Sequence, residues 1–285
     1  MKKTLLLLIF VLSVSNVFAQ QIEQNRGEPP VKQNKIILPE TGDFALGFDA
    51  VPFLEYLGNV FNGTQNNSIG ADFLGNRQQI FAKYFLSEDM AIRGRLRLEQ
   101  DMITNRNRVL LDNQTFPQQN IEVTDEWTNY STFVRVGGGI EFRRGTGRLV
   151  GVFGGELSFL YQTSSAEYGY GNSITELNQS PSSTFGRFIN GRFERIVEQK
   201  SNKQMGAGLN AFAGVEYFIA PKLSVGAEFT LGLDFIKAYR EQSTYEYWNS
   251  TTESVETIKF VSEGGNDLSF YTGNYGGSIN LMFYF

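Results

Sequence analysis

Along much of its length the chain alternates apolar and polar residues one for one. That is the period of a strand whose two faces meet different surroundings. Eight such segments stand out. The first sets Phe44, Leu46, Phe48 and Ala50 against Asp43, Gly47 and Asp49. The second sets Ile80, Ala82, Tyr84 and Leu86 against Gln79, Phe81, Lys83 and Phe85. In the third, Met90, Ile92, Leu96 and Leu98 oppose Arg93, Arg95, Arg97 and Glu99. In the fourth, Val134, Val136, Ile140 and Phe142 oppose Arg135, Gly137, Gly139 and Glu141. The fifth, 149–161, carries Gly154, Glu156 and Ser158 opposite its apolar side, and the sixth, 205–217, carries Gly206, Gly208, Asn210 and Glu216. The seventh, 223–235, is the most regular, with Ser224, Gly226, Glu228, Thr230, Gly232 and Asp234 between its apolar residues. The eighth pairs Ile279, Leu281, Phe283 and Phe285 with Ser278, Asn280, Met282 and Tyr284.

The connections between segments carry a second signal. Ser87-Glu88-Asp89, residues 144–148 and Ala220-Pro221-Lys222 are tight, turn-forming links. The others, about 51–77, 102–130, 162–203 and 238–267, are long and polar. Short and long links therefore alternate. A soluble β-sandwich also uses alternating strands, but it does not sort its loops by end, and it rarely exposes Phe and Leu on every strand. The pattern predicts an all-β fold: an eight-stranded antiparallel transmembrane β-barrel, with short periplasmic turns and four long extracellular loops.

The start of the chain agrees with that compartment. Lys2 and Lys3 precede an apolar run, 4–14, and Val17-Phe18-Ala19 offers small residues where a signal peptidase reads. The sequence predicts a signal peptide over 1–19 cleaved after Ala19, a flexible periplasmic tail over 20–40 and the barrel over 41–285. The apolar run is too short for an anchor helix, and with no Cys after the cut the chain is not a lipoprotein. Cleavage takes the net charge from −5 to −7.

Composition removes several chemistries. There are no Cys and no His, so thiolate catalysis, disulfides, Ser-His-Asp triads and Cys- or His-ligated metal sites are absent. The acidic balance, with a pI of about 5.1, gives nucleic acid no electrostatic purchase. No cofactor is expected.

Gly42-Asp43-Phe44-Ala45-Leu46-Gly47-Phe48-Asp49, then Pro52-Phe53-Leu54, then the terminal Leu281-Met282-Phe283-Tyr284-Phe285 carry a resemblance. Over about 41–285 the chain resembles small eight-stranded outer-membrane barrels of the OmpA/OmpX-like kind, most of all those of Bacteroidota-type bacteria. The resemblance implies an outer-membrane location, contact with outer-membrane lipid, and reading of Phe283, Tyr284 and Phe285 by the barrel-assembly machinery. It implies little about activity, because the family has members with many roles.

In so narrow a barrel the residues opposite the apolar stripes fill the lumen. They include Asp43, Asp49, Lys83, Arg93, Arg95, Arg97, Glu99, Arg135, Glu141, Glu156, Glu216, Glu228 and Asp234. The basic members sit on segments two to four, and the acidic members dominate the first and the fifth to seventh. Ring closure sets the two groups face to face. Buried charges must pair, which predicts a salt-bridged plug; the competing expectation is an ion path lined by Arg93, Arg95 and Arg97. Carboxylates among arginines are poor general acids, and outer-membrane enzymes such as omptin-like proteases and lipid A acyltransferases resemble one another in needing a His. The chain is expected to be no enzyme.

Function then falls to the loops. Phe53, Leu54, Leu57 and Phe61 fall at helical spacing in the first loop. Trp127 and Tyr247-Trp248, expected in loops two and four, suit a membrane-interface girdle or a contact site. The acidic residues of loop four, Glu241, Glu246, Glu253, Glu256 and Glu263, match no EF-hand spacing and read as solvated charge. The leading expectation is a structural or interaction protein, in its specific form an accessory subunit of a larger outer-membrane secretion or assembly complex. The alternatives are a narrow channel or small-solute pore, and surface recognition through loops three and four.

Overall fold

The computed structural model describes residues 38–50, 79–113, 120–145, 147–200 and 202–285, with backbone alone over 272–277; all lie in the unit Ile37–Phe285. The signal peptide, most of the tail and the helical reading of Phe53, Leu54, Leu57 and Phe61 fall outside the described residues.

Eight strands form a closed antiparallel ring: β1 (Phe44–Asp49), β2 (Gln79–Ser87), β3 (Met90–Leu110), β4 (Glu122–Arg144), β5 (Leu149–Gly169), β8 (Gln204–Ala220), β9 (Leu223–Ala238) and β12 (Gly265–Tyr284). Each pairs with its neighbour in that order, β5 passes to β8, and β12 returns to β1 through Leu46↔Phe283 and Phe48↔Leu281. Backbone bonds between Phe44 and Phe285 extend that seam. Each ring strand is thus paired on both sides over part of its length; among the described residues β3 beyond Arg97 and β12 before Ile279 are paired on one side only. Four further strands stand beyond the ring: β6 (Gly186–Ile189), β7 (Arg192–Lys200), β10 (Gln242–Asn249) and β11 (Ser254–Val261). They are joined in the order β11-β10-β7, with β6 on β7, and β7 meets β5 at Ala166↔Gln199.

These four strands, and the upper parts of β3, β4, β5 and β12, occupy most of what the sequence predicts as the loops 102–130, 162–203 and 238–267. The β3–β4 ladder runs without a break to Leu110↔Glu122. The reason for the difference is physical. Alternation reports a contrast between two environments. Above the apolar belt both faces meet water or polar neighbours, and the alternation fades although the ladder continues. Trp127 and Trp248, expected in loops, accordingly lie on β4 and β10.

Side chains sort cleanly by face. Ile92, Ile140, Phe153, Leu157, Leu209, Phe229 and Phe283 are exposed on the outside. Inside, an apolar cluster of Ala45, Phe81, Phe85, Ala91, Val150, Val152, Phe218, Met282 and Tyr284 fills the end where the tight turns lie, with Leu38 packed against it. Inward glycines leave room for the large inner residues. A Cβ on Gly139 would stand 2.8 Å from the Cα of Glu156, and one on Gly208 would stand 3.2 Å from an Arg135 nitrogen.

Candidate functional site: the interior of the ring and its outer extension

Above the apolar cluster the inner residues of six strands form one ion network. Arg93 of β3 lies 2.6 Å from Glu156 of β5, 2.8 Å from Glu228 of β9 and 3.4 Å from Glu141 of β4. Arg95 reaches Glu228 at 2.8 Å and Glu156 at 3.4 Å. Lys83 of β2 lies 2.9 Å from Glu141 and 3.5 Å from Glu216 of β8. Arg143 joins the same two carboxylates at 3.1 and 2.7 Å. Glu216 also accepts hydrogen bonds from the hydroxyls of Ser224 and Tyr284. Four cations thus meet four carboxylates in a set with no net charge. Burial is near complete: Arg93 is 2% exposed and Glu141 0%. Aromatic faces close the remaining sides, with Arg93 stacked 3.8 Å from the Phe212 ring and Arg143 5.0 Å from Phe85. Charges so deep in low dielectric are tolerable only because each is paired; hydrogen bonds reinforce most of the pairs, while Glu156 Oε1 is held by ion contact alone.

Toward the other end the interior loosens. Arg135 pairs with Asp234, and Arg97 pairs with Glu99 at 2.8 Å while covering Phe133 at 4.7 Å. Between these pairs and the buried network lies a cavity of about 30 Å³, beside Arg95, Arg97, Arg135, Asn210 and Tyr271. That is room for a water or two. A vestibule of about 300 Å³ opens above Arg97, Glu99 and Phe133.

The structure therefore joins Lys83, Arg93, Arg95, Glu141, Glu156, Glu216 and Glu228 in one set, and holds Arg97–Glu99 and Arg135–Asp234 as separate pairs. Two expected members stand apart. Asp43 accepts the backbone N–H of Glu40 in a turn, and Asp49 is half-buried at the end of β1. One member was missed. Arg143 continues the inward parity of Glu141 by two residues, but the adjoining turn over 144–148 hid it. Phe283 and Phe285 face outward, whereas Tyr284 points inward onto Glu216.

The extension is a second polar structure. Arg195 holds Glu246 at 2.6 Å, stacks 4.0 Å from the Tyr170 ring and donates to the Asn172 carbonyl. Burial raises the Tyr170 hydroxyl above its ordinary pKa against the pull of Arg195. Buried Glu194 accepts from both Arg187 and Arg192, which cover Tyr245 and Tyr247 at 3.9 Å each. Asp125 and Asp112 pin the segment between β5 and β6: Asp125 accepts from the Gly171 and Thr184 amides, and Asp112 from Asn178 and the Ser182 amide. The acidic residues expected as solvated charge are in part engaged: Glu246 pairs with Arg195, Glu256 accepts from Tyr247, and Glu263 pairs with Arg240. Among the described residues no group of three or more Asp or Glu is placed to hold a metal ion. Trp127 packs on Tyr168 at 6.4 Å, away from the outer face of the belt.

No protein-family model matches the chain, and no curated protein matches it. Among solved structures it is similar to the outer membrane protein OprG from Pseudomonas aeruginosa. The identity is 8%, the TM-score is 0.26, and the match covers 88% of this chain and 99% of that one.

Proposed function

We propose that the chain is a membrane-spanning β-barrel of the outer membrane with a sealed lumen, acting without catalysis as a structural and interaction protein through its outer extension. Two features support the membrane setting. The outward apolar stripe of β5 runs from Leu149 to Tyr161. Those residues cover about 40 Å along the strand, or about 30 Å across a bilayer at the usual tilt. Tyrosines with lysines fringe it on the extension side, where Lys203 lies 5.7 Å from Tyr161 and 5.3 Å from Tyr239, and Tyr84 and Tyr217 are exposed toward the turn side.

The observation that carries the sealed lumen is the neutral ion network stacked on the apolar cluster. Arg93 and Arg95, two of the three arginines that would line an ion path, are tied into carboxylates on the far wall, and Arg97 is paired on its own strand. The cavity beside Arg95 and Arg97 is about 30 Å³, room for a water or two rather than for a solute. In a planar bilayer the purified protein is expected to give no discrete conductance steps. Steady single-channel openings that change selectivity on Arg95→Ala would overturn the reading in favour of a pore. Docking on a larger outer-membrane complex is one form of the interaction role. Extracted in mild detergent, such a particle is far heavier than one 32.1 kDa chain with its detergent belt.

A further inference from the structure

We infer that the tip of the extension holds a carbohydrate site that takes one pyranose unit of a neutral glycan. β7 and β10 are paired only as far as Glu246↔Arg195. Beyond that point the two strands part, and the opening between their hairpin ends is a pocket of about 360 Å³. That volume lies within the ~300–1,000 Å³ of ordinary small-molecule sites. Its composition is two-sided. Trp248 shares the face of Glu246 and Arg195, by the two-residue period of a strand, and is the aromatic side chain of the lining; Phe193, on the same face, is buried against Phe188. Gln179, Ser180, Asn249 and Ser250 supply amides and hydroxyls around it. A pyranose has the matching shape: an apolar C–H face to lie on an aromatic ring, and a rim of hydroxyls that both donate and accept.

The walls are set before any ligand arrives. Asn190 and Gly191, with φ of 51° and 80°, form a two-residue hairpin turn that fixes the start of β7. Arg192 is held between Glu194 and the Tyr247 ring, and the Tyr247 hydroxyl donates to Glu256 at 3.0 Å. Pre-set walls lower the ordering cost of binding. The cation nearest the pocket is already engaged, which favours a neutral sugar over a charged one. Trp248 also stands too far out for a membrane girdle. Through Ala166↔Gln199 and Gln199↔Ser243 it lies about ten residues beyond the Tyr161 level, roughly 33 Å along the strand.

The inference rests on the extension facing outward, so the test separates the two. Full-length protein is held in an amine-oxide detergent, because sugar detergents would compete. The probes are the methyl pyranosides of glucose, galactose, mannose, N-acetylglucosamine and fucose. Saturation-transfer NMR and the fluorescence of Trp248 in a Trp127→Phe background report binding. At least one sugar is expected to saturate, with a dissociation constant on the order of millimolar for so small a ligand. Trp248→Ala should lose roughly tenfold or more, as truncated anchor aromatics do. Should Trp248→Ala disturb the hairpin, Gln179→Ala with Asn249→Ala is expected to weaken binding with the aromatic wall intact. Saturation by none of the five sugars, or equal binding by both variants, overturns the site. Separately, Thr251→Cys, in a chain with no other Cys, should react with an impermeant maleimide on intact cells. Labelling only after permeabilisation overturns the outward orientation while a retained sugar titration keeps the pocket.

Discussion

Arg93 is the residue on which the interior depends most. It touches three carboxylates, and the network around it is neutral only while it is present. Replacing it with Met keeps much of its stem volume and its contact with Phe212, 3.8 Å away. What is lost is one of four cations facing four buried carboxylates. Glu228 keeps Arg95 at 2.8 Å and Glu141 keeps Lys83 at 2.9 Å, but Glu156 keeps only Arg95 at 3.4 Å. One negative charge is left without compensation, beside a cavity with room for only a water or two. Breaking a buried pair in this way costs about 3–5 kcal/mol. Arg93→Met combined with Glu156→Gln restores neutrality and should recover most of that loss. The assay is urea unfolding of the protein refolded into lipid vesicles, followed by tryptophan fluorescence and by gel mobility of the folded form. A cost below about 1 kcal/mol for Arg93→Met, with no gain from Glu156→Gln, would refute the reasoning. It would mean that the interior is wet enough to screen the charge, and the sealed lumen would go with it.

Other outcomes follow from single contacts. Hydrogen bonds from Asn178 and Ser182 hold the Asp112 carboxyl below its ordinary pKa, against the upward push of its partial burial. Its contribution is therefore present above the unfolded carboxylate value of about 4 and is lost as pH falls below it. The Ser182 amide should lose exchange protection in acid, and Asp112→Asn should remove that pH dependence; unchanged protection at pH 3 in the parent chain would contradict the linkage. Gly139→Val drives side-chain atoms onto Glu156 and should cost about 1–3 kcal/mol, as overpacking does. Gly147→Ala, with nothing within 4 Å of the new carbon, should be neutral in the same unfolding titration. Phe283→Ala with Phe285→Ala leaves the interior untouched, yet should lower the amount of assembled protein in the outer membrane if those outward rings are the assembly signal. Normal assembled levels would rule that out.

The ring strands were legible because each separates an apolar side from a polar one. The alternation in 149–161 or 223–235 is itself the record of that separation. It also shows which residues share the interior, but not which meet. Whether Arg93 finds Glu228 or Glu216 depends on strand register and stagger around the ring, and neither is written in any one strand. The extension was hidden for the opposite reason. In β10 and β11 both faces are mixed, so Tyr245, Tyr247, Ile258 and Phe260 look like scattered loop hydrophobics until the Arg187–Tyr245–Phe260 stack is seen. Their β-branched and aromatic content was the available signal. Arg143 falls at a boundary, between the last residue of the fourth alternating segment, Phe142, and the turn over 144–148, and so belongs to neither in the sequence.

The ion network has a consequence for how the chain reaches its final state. Its members come from β2, β3, β4, β5, β8 and β9, and the Arg93–Glu228 contact spans 135 positions. A half-made sheet ending at β5 holds Lys83, Arg93, Arg95 and Arg143 but only Glu141 and Glu156 of their four acids. Its uncompensated charge would face hydrocarbon if it entered the bilayer alone. In the proposed membrane setting, strands cannot be delivered singly; entry waits until the second half of the chain brings Glu216 and Glu228 across. The same arithmetic runs backward. No strand leaves without stranding charges on several others, so the ring should persist through a high barrier to opening, and its lifetime is the quantity to clock.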